Sequence, residues 1–223
     1  MRLMTDQKIA LVTGASRGFG AAVAEELARR GYHVVAVART QGGLEELDDR
    51  IRAAGGNTTL APMDIAETDA MRQLCRGIFD RWGKVDLWVH SAIQTAPFSP
   101  TEQFDLSFWD KAVSVNVHAT GVLINFVAPL LRAAEGGGHA ILVDDTMTGP
   151  FLGGYSACKA AQRTLFEAWQ AEQARLQDVH VQCFVPAPMP TAHRNRLYPG
   201  EKTETLAHPA DEAKRMLDSL FPA

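Results

Sequence analysis

Short apolar runs alternate with amphipathic stretches along the whole chain. Six runs rich in Val, Ile and Leu, at 8–13, 33–38, 58–63, 85–91, 139–144 and 179–185, lack strict apolar–polar alternation, as strands covered on both faces do. Between them Leu44, Leu47 and Ile51, and then Met71, Leu74, Cys75, Ile78, Phe79 and Trp82, recur at helical spacing. A long helix is expected over 108–131 and another over 155–176, and Pro209 opens a last one that runs to about 220. Strand and helix in repeated alternation predict βαβ units, hence a doubly wound three-layer α/β domain around a mostly parallel, buried sheet of about six strands. Residues 186–208 carry three prolines beyond Pro186 and break the alternation, so this stretch is expected to be a loop serving as a lid.

Composition narrows the picture. The 223 residues suffice for one domain with a full core. The 22 basic residues against 26 acidic ones are dispersed, which argues against a nucleic-acid surface. The most apolar stretch, 121–131, is shorter than the roughly 20 residues a bilayer span requires. The first residues lack the apolar core of a signal peptide. A cytoplasmic protein without a membrane partner is expected. Cys75, Cys158 and Cys183 are far apart and lie in apolar patterns, reading as buried free thiols with no metal site.

Candidate chemistry begins after the first run, where Thr13-Gly14-Ala15-Ser16-Arg17-Gly18-Phe19-Gly20 leads into a helical pattern. Glycines at this spacing between strand and helix allow a tight turn, close approach to a pyrophosphate and close helix packing. Gly14, Ser16, Arg17, Gly18, Phe19 and Gly20 are therefore expected to bind a dinucleotide. Preference for NAD would place a carboxylate at the end of the second strand. The chain has Val37-Ala38-Arg39-Thr40 there. Arg39, assisted by Arg17, suits a 2′-phosphate, so NADP(H) is expected over NAD(H).

Tyr155 and Lys159 stand four apart on one helix face. An ammonium so placed would lower a phenol pKa that is ordinarily about 10 and make Tyr155 a proton donor and acceptor near neutrality. With the glycine loop, these residues make 8–191 resemble the short-chain dehydrogenase/reductase family, which has a Rossmann fold. Its other matching pieces are Asp64 after the third strand, Asn116 in the long helix, and Pro186 with Thr191 after the sixth strand. The resemblance implies that Asp64 contacts the adenine, Asn116 supports a water bridge to Lys159, Lys159 bonds the nicotinamide ribose and Thr191 holds the carboxamide. It implies hydride transfer between nicotinamide and a carbonyl or secondary alcohol, with Tyr155 handling the proton. It also suggests a homodimer through the long helices. A seventh strand, common in the family, has no candidate segment.

Three departures fall near the chemistry. Ser91-Ala92-Ile93, preceded by His90, stands where the family has Asn-Ala-Gly, and Ala187 replaces a glycine after Pro186. Ser91 and Ala92 keep their expected place beside the cofactor. The catalytic serine is replaced or displaced: counting from Gly138 puts Asp145 at its position, and counting back from Gly149 puts Thr146 there. Thr146 would retain a hydroxyl donor, whereas an ionised Asp145 would raise the Tyr155 pKa. A second reading follows from these departures, in which the chain binds NADP(H) as a sensor or structural ligand with little catalysis. His90 reads as a packed strand-end histidine. His193, Arg194 and Arg196 read as a solvated loop face, or alternatively as an anion clamp.

Overall fold

The computed structural model describes residues 7–95 and 97–221. Strands β1 (Ile9–Thr13), β2 (His33–Ala38), β3 (Asn57–Pro62), β4 (Leu87–His90), β5 (Gly138–Val143) and β6 (Val179–Phe184) form one parallel sheet in the order β3-β2-β1-β4-β5-β6. The chain winds outward from β1 to β3 and then returns beside β1 with β4, so the winding reverses between β1 and β4. Connections diverge at such a point, and a crevice opens beyond the carboxyl ends of the two strands.

Helices α1 (Gly18–Arg29), α2 (Gln41–Ala53) and α8 (Pro209–Leu220) cover one face through Leu27, Leu44 and Met216. On the other, α3 (Thr68–Trp82), α5 (Ala119–Arg132) and α6 (Gly153–Leu176) bury Met71, Leu123 and Phe166. The expected two-faced burial therefore holds in the centre of the sheet. It fails at β6, an edge strand, where Val179 and Val181 are buried but His180, Gln182 and Cys183 are exposed. Cys75 and Cys158 are buried as expected; Cys183 is not, because β6 is the edge of the sheet among the described residues.

Two expectations change. The long helix is a continuous run from 106 to 132, made of α4 (Leu106–Val113), a π-turn at Ser114–His118, and α5. Asp105 sets its start two residues early by accepting from the amides of Ser107 and Phe108. At 27 residues this run has the length and apolarity to cross a membrane, more than the sequence suggested. It lies in the core, however, with Val115, Ala119, Leu123 and Val127 against the sheet. Second, residues 186–208 are not a bare loop: they hold α7 (Ala192–Leu197) and a 3₁₀ turn at Thr203–Thr205. Glu212 of α8 accepts from the Ala187 amide at 2.8 Å, and Arg215 donates to the Val185 carbonyl at 3.2 Å. These contacts fasten the segment to the helical layer.

Phe166 is fully buried, with its ring 5.7 Å from that of Trp88 and 5.9 Å from that of Trp169. Phe166→Ala should lower stability by about 3–5 kcal/mol, read as an earlier urea midpoint.

Candidate active site

The turn after β1 is closed by backbone before any ligand is considered. Gly14 and Ala15 both donate to the Val37 carbonyl, at 2.8 and 3.1 Å. Gly14 has φ +84°, and a Cβ there would lie 2.6 Å from the Ala92 amide nitrogen, so only glycine fits this turn. A Cβ on Gly20 would strike the Gly14 carbonyl oxygen and come within 2.5 Å of Ser91 Oγ. Ser91 Oγ in turn donates to the Thr13 carbonyl at 2.9 Å. Ser91 and Ala92 thus pack the glycine loop from below. Arg17 occupies the N-cap of α1 without any side-chain cap, which leaves the first-turn amides free for an anion.

These residues floor one cleft of about 500 Å³. Of the residues singled out from sequence for cofactor or chemistry, all line this cleft except Asn116. At its outer end the Arg39 guanidinium lies 3.7 Å from Asp64 Oδ2 and donates to Gln94 Oε1 at 3.2 Å, with its side chain still 55% exposed. Thr191 leans over the glycine loop, since a Cβ on Gly18 would lie 3.3 Å from its Cγ2. Its hydroxyl also accepts from the Arg194 amide at 3.2 Å, capping α7.

The inner end is built by α6 against the end of β5. Tyr155 donates to Asp145 Oδ2 at 2.9 Å, Lys159 to the Val143 carbonyl at 2.7 Å, and Arg163 to Asp144 Oδ2 at 2.5 Å. Asp145, rather than Thr146, therefore meets the Tyr155 hydroxyl; Thr146 is exposed on the cleft wall. Burial, and then the Asp145 carboxylate, raise the Tyr155 pKa; this is the direction expected of an ionised Asp145 and opposite to the one expected of Lys159. The ammonium of Lys159 reaches past the phenol to a carbonyl, and burial pulls its own pKa down to about 8.

Sequence reasoning missed the second neighbour of Tyr155. His193 on α7 places Nε2 3.3 Å from the phenol oxygen, and its Nδ1 lies 2.6 Å from Thr95 Oγ1. Because the phenol proton goes to Asp145, the phenol oxygen accepts from His193 Nε2–H, and Nδ1 accepts from Thr95. Burial, with Lys159 next, holds His193 down to about 4, so it is neutral near pH 7. Nothing in the sequence tied position 193 to 155. The anion-clamp alternative fails for Arg194, whose guanidinium is bound to Glu201 at 2.5 and 2.6 Å.

Asn116 is fully buried beside the cleft in the π-turn. Its Oδ1 accepts from the Gln94 amide and its Nδ2 donates to the Gln94 carbonyl, both at 2.8 Å. Its side chain therefore braces the strand-end loop. His90 is 1% exposed and packed, as the sequence favoured.

The short chain dehydrogenase family model matches residues 8–202. The chain belongs to this family. Bovine dehydrogenase/reductase SDR family member 4 is 30% identical over 196 residues, covering 86% of this chain and 70% of that protein. The mouse protein of the same name is 28% identical over 213 residues, covering 94% and 75%. Among solved structures, a metagenomic short-chain oxidoreductase in complex with NADP aligns with TM-score 0.82 and 27% identity, over 97% of this chain and 91% of its own. A short chain dehydrogenase from Escherichia coli CFT073 complexed with NADPH gives TM-score 0.87 and 26% identity over 96% and 91%.

Within this short-chain dehydrogenase the phenol environment can be tested directly. Asp145→Asn removes the carboxylate charge while keeping an acceptor for the Met147 amide, which donates to Asp145 Oδ1 at 2.9 Å. Tyr155 should then titrate at lower pH than in the parent, read as tyrosinate absorbance against a Tyr155→Phe background.

Proposed function

We propose that the protein is an NADP(H)-dependent oxidoreductase that moves hydride between nicotinamide and a polarised double bond of a small-molecule substrate, with Tyr155 as proton donor and acceptor. The observation that carries this reading is that one cleft holds an uncapped helix N-terminus and Arg39 at its outer end and Tyr155 at its inner end. A dinucleotide fits these donors. Open amides at α1 suit a pyrophosphate, and the half-exposed Arg39, with Arg17 nearby, suits a 2′-phosphate. Bound nicotinamide supplies the hydride; the chain supplies position and proton.

Each residue then has a role. Asp64 would contact the adenine, Thr191, which lies above Gly18, would hold the carboxamide, and Lys159 would bond the nicotinamide ribose. Pro186 turns the chain away from β6 at the cleft rim, held there by Glu212 through Ala187. Tyr155, between Asp145 and His193, exchanges the proton with the substrate. The carbonyl or secondary-alcohol chemistry implied by the family would require Tyr155 to turn its proton from Asp145 to the substrate. That engagement also favours the second reading, nicotinamide binding without turnover.

The two readings separate on Tyr155→Phe. An oxidoreductase should lose turnover by about a hundredfold or more while NADPH affinity, followed by fluorescence, stays within about twofold. Unchanged turnover would remove Tyr155 from the role, and no turnover in the parent despite NADPH binding would favour the binding-only reading. Arg39→Ala should weaken NADPH by about tenfold or more and leave NADH nearly unaffected, because only NADPH carries the extra phosphate.

A further inference from the structure

We propose that the bond reduced in this cleft is a carbon–nitrogen double bond, an imine or its protonated iminium form, anchored on Asp145. This rests on the oxidoreductase reading above and names its substrate class.

Asp145 is a carboxylate at the reacting end with no cation at ion-pair distance among the described residues, although the Lys159 ammonium interacts with it electrostatically. Its Oδ1 takes the Met147 amide and its Oδ2 the Tyr155 hydroxyl, both at 2.9 Å. Among the described residues no Lys, Arg or His nitrogen forms an ion pair with it. The nearby cations are committed elsewhere: Arg163 to Asp144, Lys159 to the Val143 carbonyl, Arg194 to Glu201. Asp144, 3% exposed and also on the cleft wall, keeps Oδ1 without a hydrogen-bond partner among the described residues. The inner end therefore calls for positive charge and N–H donors from whatever fills it.

A carbonyl answers this badly. Hydride addition to C=O builds negative charge on oxygen, which would develop against Asp145. An iminium answers it well. Its nitrogen carries a positive charge and an N–H for Asp145, and hydride addition discharges that charge. Overall, imine, one proton and reduced nicotinamide give amine and oxidised nicotinamide. The C–N π bond breaks, a C–H bond forms with the hydride pair, and the π pair settles on nitrogen. The nitrogen proton comes from the Tyr155 hydroxyl, which His193 Nε2–H at 3.3 Å is placed to restore from solvent.

The test compares 2-methyl-1-pyrroline with cyclopentanone as substrates for NADPH oxidation, in the parent and in Asp145→Asn and Asp145→Ser. Binding of 2-methylpyrrolidinium to the NADP⁺ complex is measured in parallel by calorimetry. The parent should favour the imine by about tenfold or more in kcat/KM, and Asp145→Asn should weaken the amine by about tenfold or more with NADPH affinity unchanged. Asp145→Ser, which restores a hydroxyl donor, should move the ratio toward the ketone. The proposal is overturned if the ketone is the better parent substrate. It is equally overturned if the complex binds NADPH but neither reduces the imine nor binds the amine, or if both variants leave ratio and amine affinity within about twofold. Failure to bind NADPH at all would instead bring down the oxidoreductase reading beneath it.

Discussion

Three side chains spaced four residues apart on α6 meet three consecutive residues at the end of β5. Tyr155, Lys159 and Arg163 form one stripe of the helix, and their partners are Asp145, Val143 and Asp144. Ser156 adds a bond to the Met147 carbonyl at 2.8 Å. The helix and the loop after β5 are thereby locked in register, and the cleft inherits its inner wall from that lock. Burying the Lys159 ammonium is unfavourable unless it finds a partner; here the strand end supplies a carbonyl, while the partly exposed Arg163 pairs with the buried Asp144. Removing one partner would leave a charge stranded beneath the site, so the polar stripe fixes the position of Tyr155 far more tightly than apolar contact would.

A second buried network supports the cleft floor. His90 places Nδ1 2.7 Å from Thr13 Oγ1 and Nε2 3.0 Å from Thr120 Oγ1, and Gln162 donates to Thr120 Oγ1 at 3.1 Å. One imidazole so joins β1, β4, α5 and α6. Burial pushes its pKa down to about 3, which keeps it neutral and free of an uncompensated charge. Thr120 also donates to the Asn116 carbonyl at 2.7 Å, inside the helix. That bond satisfies a backbone acceptor where the π-turn disrupts the regular ladder, and the turn presents Asn116 to Gln94.

The sequence revealed what depends on local pattern. Apolar runs located all six strands because period and β-branching are written residue by residue, and the glycine loop was legible because strand, turn chemistry and helix follow one another. Strand ends were less so: 85–91 shortened to Leu87–His90 because Val85 donates to Leu130 of α5 and only four residues pair with β1. Contacts across long separations were not legible. His193 meets Tyr155 across 38 positions, and Glu212 meets Ala187 across 25, and no spacing rule ties such pairs. The choice between Asp145 and Thr146 was of the same kind, since it turns on which side chain points at the α6 stripe.

The three departures from the family pattern are physically unequal. Ala187 donates its amide to Glu212 and needs no positive φ, so a glycine there is dispensable. Ser91 serves the glycine loop by a bond to Thr13, and Gly14 comes closest to the backbone of Ala92, which the family pattern keeps. Both changes leave the scaffold intact. Asp145 differs, because it sets an anionic acceptor against the Tyr155 hydroxyl. The outer end of the cleft offers donors and positive charge through the uncapped α1 amides and Arg39. The inner end instead presents acceptors, Asp145 against the Tyr155 hydroxyl and beside it the Oδ1 of Asp144, unpaired among the described residues.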